Sequence, residues 1–135
     1  MITLSIAAAE TPDFVRDVHP ILEAHCLKCH GPEEQNGSLR YDQKAAVLGP
    51  ADSGKRAVVP GKPDQSELLK RITSTHKDEQ MPPKGSRLGA TEIEIFRQWI
   101  ASGAQWPESA SLLLKRNPQA LIGLSSRFVS TPCLK

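Results

Sequence analysis

Two cysteines separated by two residues and followed at once by a histidine, Cys26-Leu27-Lys28-Cys29-His30, constrain this chain more than any other stretch. On one helical turn residues i and i+3 share a face, so both thiols meet the same edge of whatever lies against them. Each thiol can add across a porphyrin vinyl group to form a thioether, while the adjoining imidazole presents a nitrogen to the iron. The pattern points to one covalent haem c, anchored by Cys26 and Cys29, with His30 as the proximal ligand. Two other uses of the same residues stand beside it. A dithiol redox pair calls for a preceding strand and a βαβ context, and neither is visible. A zinc site needs a fourth ligand and usually a second cysteine pair, whereas the remaining cysteine, Cys133, lies near the C-terminus and is left as a single thiol.

Composition agrees with a bound prosthetic group. The chain has 135 residues, enough for one domain with a modest core. Its aromatic residues are Phe14, Tyr41, Phe96, Trp99, Trp106 and Phe128. A core built from these alone would be lean, and a buried porphyrin would fill the gap. The same deficit predicts a poorly packed haem-free chain, with cofactor binding supplying folding free energy. The formal net charge is +2, and basic and acidic residues are interspersed, so no stripe tracks a phosphate backbone and nucleic acid is not an expected partner. No run is apolar enough to span a bilayer. Residues 1–10 read as a signal-peptide remnant or a disordered N-terminus, with Ala7-Ala8-Ala9 resembling a cleavage site. Thioether attachment of haem takes place outside the cytoplasm, so the motif argues for a periplasmic or otherwise extracytoplasmic protein.

Along the chain, residues 11–107 read as the monohaem domain and residues 108–135 as a loosely ordered tail or truncated linker, with apolar patches at Leu112–Leu114 and Leu121–Leu124. Thr11-Pro12-Asp13 predicts a helix start with Thr11 as N-cap. Phe14, Val18, Ile21, Leu22 and His25 follow at helical spacing, and Pro20 either kinks that helix or begins a second one. Gly31-Pro32 predicts its end. The segment from Glu33 to Pro63 is dense in turn signals, as expected of a long loop wrapped over a support, with a helical turn at Ala45–Leu48 and a brief extended piece at Val58-Val59. Arg40 is a candidate partner for a haem propionate, or else a solvated surface arginine.

Asp64-Gln65-Ser66-Glu67 and Thr91-Glu92-Ile93-Glu94 resemble capping boxes, preceding apolar faces of Leu68, Leu69 and Ile72 in one helix and Ile93, Phe96, Trp99 and Ile100 in the other, which stops near Gly103. Between them, after a polar run from Thr73 to Gln80, comes Met81-Pro82-Pro83. Pro82 restricts Met81 and two prolines stiffen the loop, which suits Met81 as the sixth iron ligand. His76 is the credible rival, and His25 is too near the attachment point to reach the far face. Helices at both ends of the domain, bearing Phe14 and Phe96 with Trp99, predict a crossed pair beside the haem.

This ordered series resembles the planctomycete-type cytochrome c domain, a branch of the small class I c-type cytochromes. The likeness runs from Phe14 to Pro107, through Pro20-Ile21-Leu22, the Cys26–Pro32 motif, Gly37-Ser38-Leu39-Arg40, Val59-Pro60-Gly61-Lys62-Pro63, Met81-Pro82-Pro83 and Trp99-Ile100 to Trp106-Pro107. It implies an all-α, class I cytochrome c-like fold, with a few short helices and long turn-rich loops around one haem. It also implies His30 and Met81 as axial ligands and a role in electron transfer to a redox partner or a fused downstream domain. The protein would then be an electron carrier or electron-entry module and not itself an enzyme. The alternatives are a haem-based gas or redox sensor with a displaceable Met81, and a zinc or dithiol module on Cys26, Cys29 and His30.

Overall fold

The apolar spacing around Phe14 builds the first wall of the core. In the computed structural model, which describes residues 10–108 and Ala110, this stretch divides into a π-helical turn, Phe14–Val18, and helix α1, His19–His25. The change of winding falls between Val18 and His19 and the backbone stays αR through both, so the helix does not stop at His19 and restart at Pro20. Asp13, not Thr11, is the N-cap, and its carboxylate accepts from the Arg16 N–H at 2.8 Å. The widened turn, closed by Val18 N–H to the Asp13 carbonyl at 3.3 Å, precedes Pro20 in the first turn of α1, where its missing N–H leaves no bond unmade. Phe14, Val18, Ile21 and Leu22 are all buried.

Three more α-helices follow: α2, Lys44–Leu48; α3, Glu67–Thr73; and α4, Ala90–Ala101. Short 3-10 turns occupy Asn36–Ser38 and Pro63–Gln65, and the described residues contain no strand, only isolated bridges such as His30 with Gln35. The protein is helical, as expected. Segments that lie outside the described residues are the leader-like Met1–Ala9, the patches Leu112–Leu114 and Leu121–Leu124, and Cys133.

The helix starts differ from the expected boxes. Ser66 is the N-cap of α3 by position, but its side chain is wholly buried and caps nothing there. It accepts from the Val59 N–H at 2.9 Å and donates to the Lys62 carbonyl at 3.0 Å, stitching the 56–59 segment to the helix entry. The free N–H groups of α3 are instead met by backbone: Glu67 donates to the Arg56 carbonyl at 3.1 Å and Leu68 to that of Ala57 at 2.9 Å. Helix α4 begins one residue before Thr91, with Gly89 as N-cap. Glycine has no side chain to cap with, so only half of a box forms, Gly89 N–H to Glu92 Oε2 at 2.8 Å.

The stop of α4 falls where expected. Gly103 (φ +107°) and Ala104 return N–H groups to Ile100 at 3.0 Å and Trp99 at 2.9 Å, the paired bonds of a Schellman ending that glycine's positive φ permits. Phe96, Trp99 and Ile100 point inward. Phe14 lies 4.2 Å from Trp106 and 5.7 Å from Trp99 between ring centroids, and the Trp99 indole N–H donates to the Gln105 carbonyl at 2.9 Å. The first and last helices thus pack through an aromatic cluster, as their sequence faces predict.

Candidate cofactor site

Helix α1 ends at His25, and the cysteine motif follows in a turn whose N–H groups at Cys29 (3.2 Å) and His30 (3.0 Å) both point back to the Cys26 carbonyl. That turn keeps Cys26 and Cys29 on one side, and both line a cavity of about 580 Å³. The chain then doubles back. Asn36 N–H donates to the Cys29 carbonyl at 3.1 Å, Gly31 N–H to the Glu34 carbonyl at 2.8 Å, and Tyr41 N–H to the His30 carbonyl at 2.8 Å. Gly31 is required by this reversal: a Cβ there would stand 2.2 Å from the Leu27 carbonyl oxygen.

This loop orients the imidazole. His30 Nδ1 lies 2.9 Å from the Asn36 carbonyl, which can only accept, so Nδ1 carries the proton and Nε2 the lone pair. Tyr41 meets the His30 ring edge to face, with centroids 5.6 Å apart, and burial pushes its phenol pKa well above the ordinary value. A histidine whose outer nitrogen is tied to a carbonyl is prepared to ligate a metal through the other.

Met81 reaches the same cavity from 55 residues beyond Cys26, followed by Pro82 and Pro83 across a cis Met81–Pro82 bond. Its N–H donates to the Arg71 carbonyl on α3 at 3.0 Å. The sequence-predicted residues Cys26, Cys29, His30 and Met81 are therefore all brought to one cavity. Its other walls are largely apolar, from Leu39, Tyr41, Ala57, Leu68, Ile72 and Leu88. A pocket of this size and lining suits a large flat organic group.

The remaining candidates separate. His76 is exposed and does not line the cavity; its carbonyl receives Glu79 and Gln80 N–H groups instead. His25 does line it, held 3.3 Å from Glu92 Oε1. Arg40 also falls away from the cavity. Its guanidinium makes a two-pronged pair with the buried Asp42, through Nε to Oδ1 at 2.9 Å and through Nη2 to Oδ2, so neither the propionate role nor the solvated one describes it.

The cations on the cavity wall are Lys55 and Arg71, which sequence reasoning did not single out. Both contact Glu67, Arg71 Nε at 2.9 Å and Lys55 Nζ at 3.4 Å. Burial pushes the Glu67 carboxyl pKa up, but the hydrogen bonds from Arg71 and Lys55 outweigh it and the net shift is downward. The one legible signal was the Glu67-to-Arg71 spacing of four residues on a helix. Lys55 lies in a loop, and nothing local marks it.

The thiols bear on the alternatives. Burial raises the Cys26 pKa to about 12, and Cys26 is a free cysteine. Cys29 is disulfide-bonded and Cys26 is not, so the motif cysteines are not joined to each other. Among the described residues no three His, Cys, Asp or Glu side chains converge to hold an ion. Nor is any described helix long and apolar enough to cross a membrane.

Comparison with known proteins agrees with this geometry. Residues 26–85, just under half of the chain, match the family pattern described as planctomycete cytochrome C. The matched segment runs from the first motif cysteine to just past Met81-Pro82-Pro83, so it holds every cavity-lining residue except His25 and Leu88, but not the π-helical turn, α1 or α4. No curated protein and no solved structure matches the chain.

Proposed function

We propose, from the planctomycete cytochrome C match over residues 26–85, that this protein is a monohaem electron-transfer module of class I cytochrome c-like fold. Bound haem supplies one-electron exchange between ferric and ferrous iron. The residues present fit that group. Cys26 and Cys29 would anchor it as thioethers, each thiol adding S and H across one vinyl C=C bond. At Cys29 an external dithiol would first reduce the disulfide to the free thiol, itself being oxidised to a disulfide. His30, oriented by the Asn36 carbonyl, would offer Nε2 to the iron on one side, and Met81 would offer its thioether sulfur on the other. Lys55 and Arg71 give the cavity wall the cationic character that two propionates call for.

The observation that carries the reading is that Met81, distant in sequence, lines the same cavity as the cysteine-histidine motif. The chain's own contribution is to hold ligands, exclude water with apolar walls and keep the potential steady. Thioether ligation favours the ferrous state, and a potential well above that of thiolate-ligated iron follows. A redox protein or a fused downstream domain would exchange the electrons, in the periplasm or another extracytoplasmic compartment. The sensor reading has less support, because the Met81 backbone is anchored to α3.

The test is a visible spectrum of protein matured in a host able to attach haem c. Haem retained through acidic organic extraction, with a ferric sulfur-to-iron charge-transfer band that disappears in Met81→Ala, is the expected result. An unchanged spectrum and potential in Met81→Ala would remove Met81 from the iron, and colourless protein would return the motif to zinc or thiol chemistry.

A further inference from the structure

Arg87 lies beyond the segment that matches the cytochrome family, six residues after Met81 and exposed to solvent. Its guanidinium nevertheless makes two defined bonds. Nη2 donates to the Ile72 carbonyl at 2.9 Å, and Nη1 donates to Gln80 Oε1 at 2.7 Å. The first partner belongs to the last turn of α3, where carbonyls lack helical partners and a cation is favoured by the helix dipole. The second is the residue immediately before Met81.

Seen with the backbone bond from Met81 N–H to the Arg71 carbonyl, these contacts define an arch. Residues 81–87 leave α3 at the carbonyl of Arg71 and return to it at the carbonyl of Ile72. The two feet stand on adjacent carbonyls of one helix, and the span between them carries Met81, Pro82 and Pro83 over the cavity. The next residue, Leu88, is buried in the same wall. A seven-residue polar stretch, 74–80, precedes Met81 and is mostly exposed, so it offers little packing to fix the thioether.

We infer that Arg87 is a positioning residue for the distal ligand, clamping the Met81 arch onto the C-terminal turn of α3 so that the methionine sulfur stays over the iron. The inference rests on the assignment of Met81 as distal ligand, and its effect acts through Met81 alone. Planar, multi-donor geometry is what the clamp uses: one guanidinium reaches two acceptors that a lysine ammonium, a point charge, would serve less well.

The experiment is titration of the ferric holoprotein with azide, together with the sulfur-to-iron charge-transfer band, in wild type, Met81→Ala, Arg87→Met, Arg87→Lys and Gln80→Leu. Wild type should resist azide and Met81→Ala should bind it readily. Arg87→Met should bind azide about tenfold more tightly than wild type, as expected for loss of a charge-assisted hydrogen bond, with a weakened band. Arg87→Lys should recover part of the resistance, and Gln80→Leu should show a smaller gain in azide affinity. If Arg87→Met fails to mature, Gln80→Leu alone carries the test. Wild-type azide affinity and an intact band in Arg87→Met, or in Gln80→Leu where it stands alone, would overturn the clamp while leaving Met81 ligation in place. Wild type binding azide as readily as Met81→Ala would overturn the ligand assignment and the clamp with it.

Discussion

The aromatic end of the molecule and the cavity end are held together by different means. Phe14, Trp99 and Trp106 fill the first with side chains from the first turn, α4 and the segment after it, and Trp99 has its polar atom satisfied within the cluster. The second is framed by loops, by the seven-residue α3 and by the Met81 arch, around a space of about 580 Å³. Packed side chains gain dispersion contacts on every side, whereas atoms lining a cavity have none on one side. The aromatic end can therefore keep its structure from protein contacts alone, while the cavity end depends on what is bound in it.

Removing the two cysteines proposed to anchor haem should split the two ends most visibly. In Cys26→Ser/Cys29→Ser the visible absorption should vanish. Amide exchange should rise to local-unfolding rates across residues 67–73 and 81–88 while α4 stays protected. Uniform protection at both ends would break the comparison.

Trp99→Ala is the reciprocal test. It should cost about 3–5 kcal/mol by urea unfolding, as large-to-small core changes do, with little change in the visible spectrum. A shifted spectrum would mean that the two ends are one unit.

Arg40→Ala strands the buried Asp42 carboxylate and should cost about 1–3 kcal/mol, yet leave the pH dependence of the reduction potential unchanged. A changed pH dependence would bring Arg40 back to the propionates.

The smallest effect concerns Glu67. Its folded pKa is lowered, so its contribution to stability is present above the ordinary glutamate value of about 4.3 and is lost as pH falls through the lowered folded value. The urea midpoint should therefore drop less steeply below about pH 4 in Glu67→Gln than in wild type. Identical slopes would mean that the Lys55 and Arg71 contacts contribute nothing to stability.

What was legible in the sequence was local. Leu68, Leu69 and Ile72, and likewise Phe96, Trp99 and Ile100, reveal buried helix faces because helical periodicity is written in consecutive residues. The failures were caps and partners. Ser66 has the residue type of an N-cap, but the 56–59 segment supplies carbonyls to α3 and takes the serine hydroxyl for itself. Thr11 yields to Asp13 because the π-helical turn begins later than the Pro12 signal indicates. Arg40 is spoken for by Asp42 two residues away, a pairing that the turn from Arg40 to Gln43 and a buried acid make possible and that charge alone does not announce.

The chemistry on offer is written in residue type and order: two thiols and an imidazole at helical spacing, a thioether stiffened by two prolines, and helical faces able to form a core. These depend on residue type and near-neighbour spacing, which covalent geometry fixes. Only the tertiary structure decided that Met81 and not His76 reaches the cavity, that Lys55 and Arg71 and not Arg40 supply its cations, and that Arg87 grips the arch. Those outcomes depend on which distant backbone carbonyls and carboxylates are brought within hydrogen-bonding reach, and such distances are set by packing across the whole domain.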